Sequence, residues 1–186
     1  YVLGVINELQ KLEKSLKGFD CTINSEVPVG AGMSSSAALE CGLAAGLNQL
    51  FDLNISQMQI VKLSQAAENN FVGSQCGIMD QYASVLSKNG HLILLDCLTL
   101  EAQYIPADFK SCKILLINTN VSHSIAEGEY NTRRKECESA LEIIQHHNPE
   151  VKSLRDVDIE LLRNHEEYLN TQQFNIVIYV LKENER

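Results

Sequence analysis

Basic residues are scarce in this chain: 15 Lys and Arg stand against 24 Asp and Glu in 186 residues, a formal net charge of −9. A surface that holds nucleic acid by its phosphates needs clustered Lys and Arg, so DNA and RNA are not expected partners. The short basic run Arg133-Arg134-Lys135 reads as a solvated helix face. Long apolar runs are missing as well. The longest, Ile176 to Leu181, has six residues, far short of the roughly 20 that cross a bilayer as a helix, and no membrane segment is expected. None of the six cysteines (Cys21, Cys41, Cys76, Cys97, Cys112, Cys137) falls in a C-x-x-C pair, so neither a zinc site nor a disulfide framework is indicated. Reduced thiols point to the cytoplasm. Internal repeats and low-complexity tracts are absent, and there is no Gly-Lys-Ser or Gly-Lys-Thr, which removes a Walker-type loop with its lysine phosphate clamp.

What is present is an ordinary globular composition, 45% apolar and 21% charged, organised around Pro28-Val29-Gly30-Ala31-Gly32-Met33-Ser34-Ser35-Ser36-Ala37-Ala38. Gly30 and Gly32 permit positive φ and a close backbone approach to a ligand. The amides of Met33 to Ser36 would be first-turn donors at the positive end of a helix dipole, an arrangement that suits a polyphosphate. A plain strand-to-helix turn with a serine cap accounts for a bare Gly-x-Gly-x-x-Ser equally well. The flanks decide for a functional loop: Cys21 to Val27 alternate as a half-buried strand does, and Leu39, Leu43, Leu47 and Leu50 form a helical stripe.

Elsewhere, Val2 to Leu16 trace a helix closed by Gly18. Ser56-Gln57-Met58-Gln59 is a capping-box pattern that opens a helix towards Glu68 and Asn69-Asn70. Gly73 to Gly77 break the pattern, and a further helix runs from Ile78 to about Ser87. Asn89-Gly90 is a turn signal ahead of paired strands His91 to Cys97 and Glu101 to Ile105. Lys113 to Asn118 reads as another strand, leading out through Thr119-Asn120. A long amphipathic helix spans Ile125 to His147, with Cys137, Leu141 and Ile144 inward, and stops at Asn148-Pro149. A weaker helix covers Asp158 to Tyr168. The final apolar run is helix or strand on periodicity alone.

Three blocks carry a family resemblance. Pro28 to Ala38 resembles the second motif of the GHMP kinases, with Met33 in place of the usual Leu. Cys76-Gly77-Ile78-Met79-Asp80-Gln81, and Ser124 with Gly128-Glu129-Tyr130-Asn131, Arg133-Arg134 and Cys137-Glu138, resemble the galactokinase branch of that family. The likeness runs from about Tyr1 to Leu162 and fades after Asn164. It implies an α+β fold: part of a ribosomal-S5-domain-2-like nucleotide domain over residues 1–110, followed by the start of a second, ferredoxin-like α+β domain over 111–186. The family's opening Gly-Arg-x-Asn-x-x-Gly-Glu-His-x-Asp motif is missing, so the chain is expected to be the middle of a longer protein and inactive by itself.

The resemblance further implies ATP-dependent phosphorylation of α-D-galactose to galactose 1-phosphate with Mg2+; the sequence does not give the oligomeric state, and a monomer is favoured. Gly30, Ala31, Gly32, Met33, Ser34, Ser35 and Ser36 would cradle ATP. Ser36 and Glu68 would hold Mg2+, both being hard oxygen donors. Asp80 would be the catalytic carboxylate, and Gly77, Asp80 and Tyr130 would contact the sugar. Read without the resemblance, Glu68 is a solvated helix-end carboxylate, Asp80 a helix cap and Tyr130 a packing residue. Two other functions remain open, a sugar and ATP sensor without turnover and a kinase for N-acetylgalactosamine. The intact Ser34 to Ala38 run favours an enzyme over the former, and Gly77 to Gln81 with Tyr130 favour galactose over the latter.

Overall fold

The computed structural model describes residues 1–13, 15–110, 112–117 and 128–186. Chain contacts divide it into two compact units, Tyr1–Ala126 and Glu127–Arg186. Among the described residues no helix is long and apolar enough to cross a membrane.

Among its described residues the first unit has four α-helices: α1 Val2–Lys11, α2 Ser35–Leu50, α3 Gln57–Ala67 and α4 Met79–Leu86. Val5 and Leu9 of α1, Ala44 and Leu47 of α2, and Ile60, Leu63 and Ala67 of α3 bury their side chains together, as the three-to-four spacing of these positions requires. The expected capping box forms at α3, where Gln59 N donates to Ser56 Oγ and Ser56 N to Gln59 Oε1. Beyond Ala67 the helix widens into a π-helical turn, Glu68–Val72, which Gly73 closes at φ +89°. Gly4 lets α1 approach this corner: a Cβ there would lie 3.2 Å from both Ala67 O and Phe71 Cβ.

A two-stranded antiparallel sheet completes the unit, β1 His91–Leu95 and β2 Ala102–Pro106, in a register that sets Ile93 opposite Tyr104. Its inner side packs with Val61, Ile78 and Tyr82 under α3 and α4, and Tyr104 anchors it by donating to Leu86 O at 2.6 Å.

Three expectations fail here. Cys21 to Val27 form no strand; these residues are exposed except for Val27 and pair with nothing described. Alternation measures fitness for a half-buried strand, but a strand also needs a neighbour for its amides. Residues 113–117 likewise have no regular structure, and Ile114 to Ile117 are exposed; Asn118, Thr119 and Asn120 lie outside the described residues. Helix α1 stops at Lys11 rather than Leu16, because Glu13 turns the chain at φ +56° and Leu16 and Phe19 fold back onto the core. Phe19 meets Phe51 edge-on with centroids 6.2 Å apart.

The second unit, by itself, is helical among its described residues: α5 Glu129–His147, α6 Ile159–Asn164 and α7 Thr171–Asn184. Ile125 and Ser124 lie outside the described residues. Ala140 and Ile144 of α5 pack with Leu162, Ile176, Val177 and Leu181. The final apolar run is therefore a helix. Asn170 and Gln173 cap it reciprocally, a signal beyond the reach of hydrophobic periodicity alone. His147 closes α5 and stacks on Tyr168 at 4.2 Å between centroids.

Gly4→Leu tests the close approach of α1 to the π-helical turn. Leucine favours helix over glycine by about 1 kcal/mol, yet forcing a side chain into a closed contact typically costs about 1–3 kcal/mol. Loss of stability in urea denaturation is expected. A variant as stable as the parent would show that α1 can shift freely.

Candidate functional site

The loop ahead of α2 adopts the conformation its glycines permit. Gly30 and Gly32 sit at φ +73° and +72°, and Ser34 follows in the left-handed region at φ +52°. Ser34 is the residue before the helix, but in this conformation its hydroxyl makes no capping bond. The first-turn amides of α2 are left without a side-chain acceptor at the positive end of a helix of 16 residues. The loop and one face of α2 border an open groove of about 1060 Å3, and Gly42 and Gly46 keep that face low. Among the cradle residues Ser34, Ser35 and Ser36 are half-buried, as is Ala31, whereas Gly30, Gly32 and Met33 are exposed.

Glu68 is not the solvated carboxylate that its residue type suggests. It is 3% exposed and opens the π-helical turn, with its carbonyl accepting from Gly73 N and Ser74 N. Gln81 Nε2 donates to Glu68 Oε2 at 2.9 Å, and Cys76 Sγ approaches the same oxygen at 3.6 Å. Gln65 Nε2 and Asn69 Nδ2 both donate to Cys76 O, which fixes the backbone leading into Gly77. Gly77 is exposed. Asp80, half-buried, stands in the first turn of α4, where an acidic residue complements the dipole. Glu68, Gly77 and Asp80 are thus held in one bonded corner of the first unit.

Sequence reasoning passed over Glu40 and gave Gln81 no role beyond its motif; both are fully buried. Glu40 faces Glu68, and neither of its carboxyl oxygens has a hydrogen bond of normal geometry. Burial first, and the Glu68 carboxylate second, push the Glu40 carboxyl up to about 8, with the Tyr1 ammonium acting in the opposite direction. The same two causes push the Cys76 thiol up to about 12, so it is no thiolate nucleophile. The signal was available: Ser36 and Glu40 are four residues apart and share a face of α2. Side chains on a helix lean towards its N-terminus, and Glu40 in turn faces Glu68. An oxygen-only donor set of a serine hydroxyl and a buried carboxylate fits a hard cation such as Mg2+.

Tyr130 belongs to the second unit. It is 52% exposed and borders a groove of about 900 Å3 between α5 and α7, with Arg133, Cys137, Asn175 and Tyr179.

Residues 1–88 match the model of the GHMP kinases N terminal domain. Over all 186 residues the chain is 42% identical to a galactokinase of Thermosipho africanus and 39% identical to one of Thermotoga maritima, in each case covering 51% of the relative. A crystal structure of Lactococcus lactis galactokinase complexed with galactose superposes on the whole chain with a TM-score of 0.90 at 31% identity, over 48% of its own length. The chain spans about half the length of the curated relatives it matches, and the expected α+β fold of GHMP-kinase type holds.

The Glu40 shift sets a pH dependence. Below the ordinary glutamate value of 4.5 the carboxyl is protonated whether the chain is folded or not. From there to about 8 the unfolded chain releases a proton that the folded chain keeps, so this group's contribution to stability falls as pH rises and is lost above that range. Glu40→Gln should flatten the decline of Tm between pH 5 and 8. Parallel Tm curves for the two proteins would assign the titration to another group.

Proposed function

We propose, for a chain whose residues 1–88 match the GHMP kinases N terminal domain, that the whole protein is a galactokinase. It transfers the γ-phosphoryl group of ATP to the anomeric hydroxyl of α-D-galactose, yielding galactose 1-phosphate and ADP, the entry to galactose catabolism by the Leloir pathway. The observation that carries this reading is the α2 N-terminus, open behind two left-handed glycines, in the same unit as the buried Glu68 corner. Such a loop positions phosphates through backbone amides rather than through lysine.

Phosphoryl transfer depends mainly on positioning and on charge stabilisation. The amides of residues 30–36 hold the ATP phosphates. Ser36 and Glu68 would hold Mg2+, which when bound neutralises phosphate charge. Asp80 orients the sugar hydroxyl and accepts its proton as the new O–P bond forms and the bond to ADP breaks. Gly77 contacts the sugar through its backbone and Tyr130 through its phenol, a donor and acceptor. Residues 1–110 then form part of the nucleotide domain and 111–186 the start of the next, in a cytoplasmic monomer.

Release of ADP by the intact protein, measured with galactose, with N-acetylgalactosamine and with neither, tests the assignment. Galactose-dependent ADP is expected. Binding of galactose and ATP without turnover would make the protein a sensor, and preference for N-acetylgalactosamine would change the substrate.

Two substitutions test the roles. Asp80→Asn keeps shape but removes charge and basicity, and turnover should fall by ~100-fold or more with ATP and galactose still bound. A near-normal rate per folded molecule, with lowered Tm, would reduce Asp80 to a helix cap. Glu68→Gln should raise the Mg2+ concentration needed for half-maximal turnover, and an unchanged requirement would remove Glu68 from the cation site.

A further inference from the structure

Gln81 stands out among the buried polar residues of the first unit. Its side chain is fully buried, and a leucine would be the stabilising choice at such a position, since an interior carboxamide loses its water. Nor is the carboxamide satisfied as a whole: Oε1 has no hydrogen-bond partner among the described residues. Its Nε2 makes a charge-assisted bond to Glu68 Oε2 at 2.9 Å and a longer contact to Cys76 Sγ at 3.6 Å. The Cys76 thiol also approaches that oxygen, at 3.6 Å, a weak donor directed at Asn69 Oδ1 as well.

Three elements meet at this residue. The main chain of Gln81 belongs to α4 and directly follows Asp80. Its carbonyl receives Cys41 Sγ of α2 at 3.8 Å, and its side chain reaches the π-helical turn. Glu40 also faces Glu68, a second buried carboxyl whose oxygens make no hydrogen bond of normal geometry. Gln81 Nε2 thus gives Glu68 Oε2 a closer donor than the thiol does.

We infer that Gln81 is a positioning residue: its carboxamide aims the Glu68 carboxylate and ties it to the helix turn that carries Asp80, so that the two functional carboxylates keep a fixed separation. The inference rests on the reading of Glu68 as a cation ligand. Groups that orient a ligating carboxylate commonly matter almost as much as the ligand, and their loss costs about 10–100-fold in cation affinity.

The test uses Mn2+ as the probe, titrated into the intact protein with a non-hydrolysable ATP analogue and read by water-proton relaxation, beside a thermal melt. Gln81→Met keeps the length of the side chain and removes the donor; Gln81→Glu keeps its shape and replaces the amide by a carboxyl. Half-saturation by Mn2+ should rise about 10-fold or more in either folded variant. Leu63→Ala, a core truncation in α3, should lower Tm and leave Mn2+ binding unchanged, which separates positioning from general loss of stability. Wild-type Mn2+ affinity in a cooperatively melting Gln81 variant, while Glu68→Gln loses affinity, would overturn the inference and leave the cation assignment standing. If Glu68→Gln also binds normally, the cation assignment falls and takes the inference with it. Failure of both Gln81 variants to fold would overturn it too, by making the carboxamide a stability element.

Discussion

Burial of the Glu68 carboxylate is the constraint on which the first unit depends. An ionised group taken out of water is tolerated only with donors close by, and here these come from chain that α3 itself could not supply. The helix widens at Glu68–Val72, which turns the carboxylate inward and opens its carbonyl to Gly73 N and Ser74 N. The loop so redirected brings back Cys76 and then Gln81, the donors that meet Oε2. The π-helical turn is the geometric device that allows a helix-end residue to become an interior one, and Gly4 permits α1 to cover it. Glu40 adds to the strain on this corner, because a second carboxyl is buried against the first. A purely structural core would place an apolar side chain at either position, so the arrangement makes sense as a cost accepted for a site.

Much of this was legible in the residues. The cradle, the α3 capping box, the Asn89-Gly90 turn with its hairpin, and α4 stand where local chemistry places them, because each is fixed by contacts a few residues apart: Ser56 with Gln59, and Gly90 at φ +71°. The misses share one cause. Cys21 to Val27 and Lys113 to Ile117 have strand composition, but a strand is completed by hydrogen bonds to a neighbour distant in sequence, and no alternation pattern reports whether that neighbour is there. The end of α1 was misread for a related reason. Gly18 looks like a stop, yet the packing of Leu16 and Phe19 on the core turns the chain earlier, at Glu13.

The site divided along the same line. Glycine spacing and helix position drew attention to Gly30 to Ser36 and Asp80 as candidates beside the family resemblance, whereas Glu40 was passed over and Gln81 entered only as part of its motif, since exposed Glu and Gln on helices are common. Their importance comes from burial against Glu68, a tertiary fact. One faint trace existed in the four-residue interval from Ser36 to Glu40, which puts an acidic residue within an otherwise apolar helix next to the cradle.

A comparison of helix beginnings within the molecule bears on the cradle. Helices α3, α6 and α7 start with Ser56, Asp158 and Asn170 in extended conformation, and each side chain accepts an amide of the first turn. Helix α2 starts with a serine as well, but Ser34 is left-handed and caps nothing. The difference lies in the backbone and not in residue type: an extended residue points its hydroxyl back over the turn, and a left-handed one does not. The two left-handed glycines ahead of Ser34 carry the chain into that conformation. A serine-rich helix start that would ordinarily satisfy itself is thereby left with donors for an external acceptor, and a chain with a net charge of −9 can offer an anionic phosphate a local positive field.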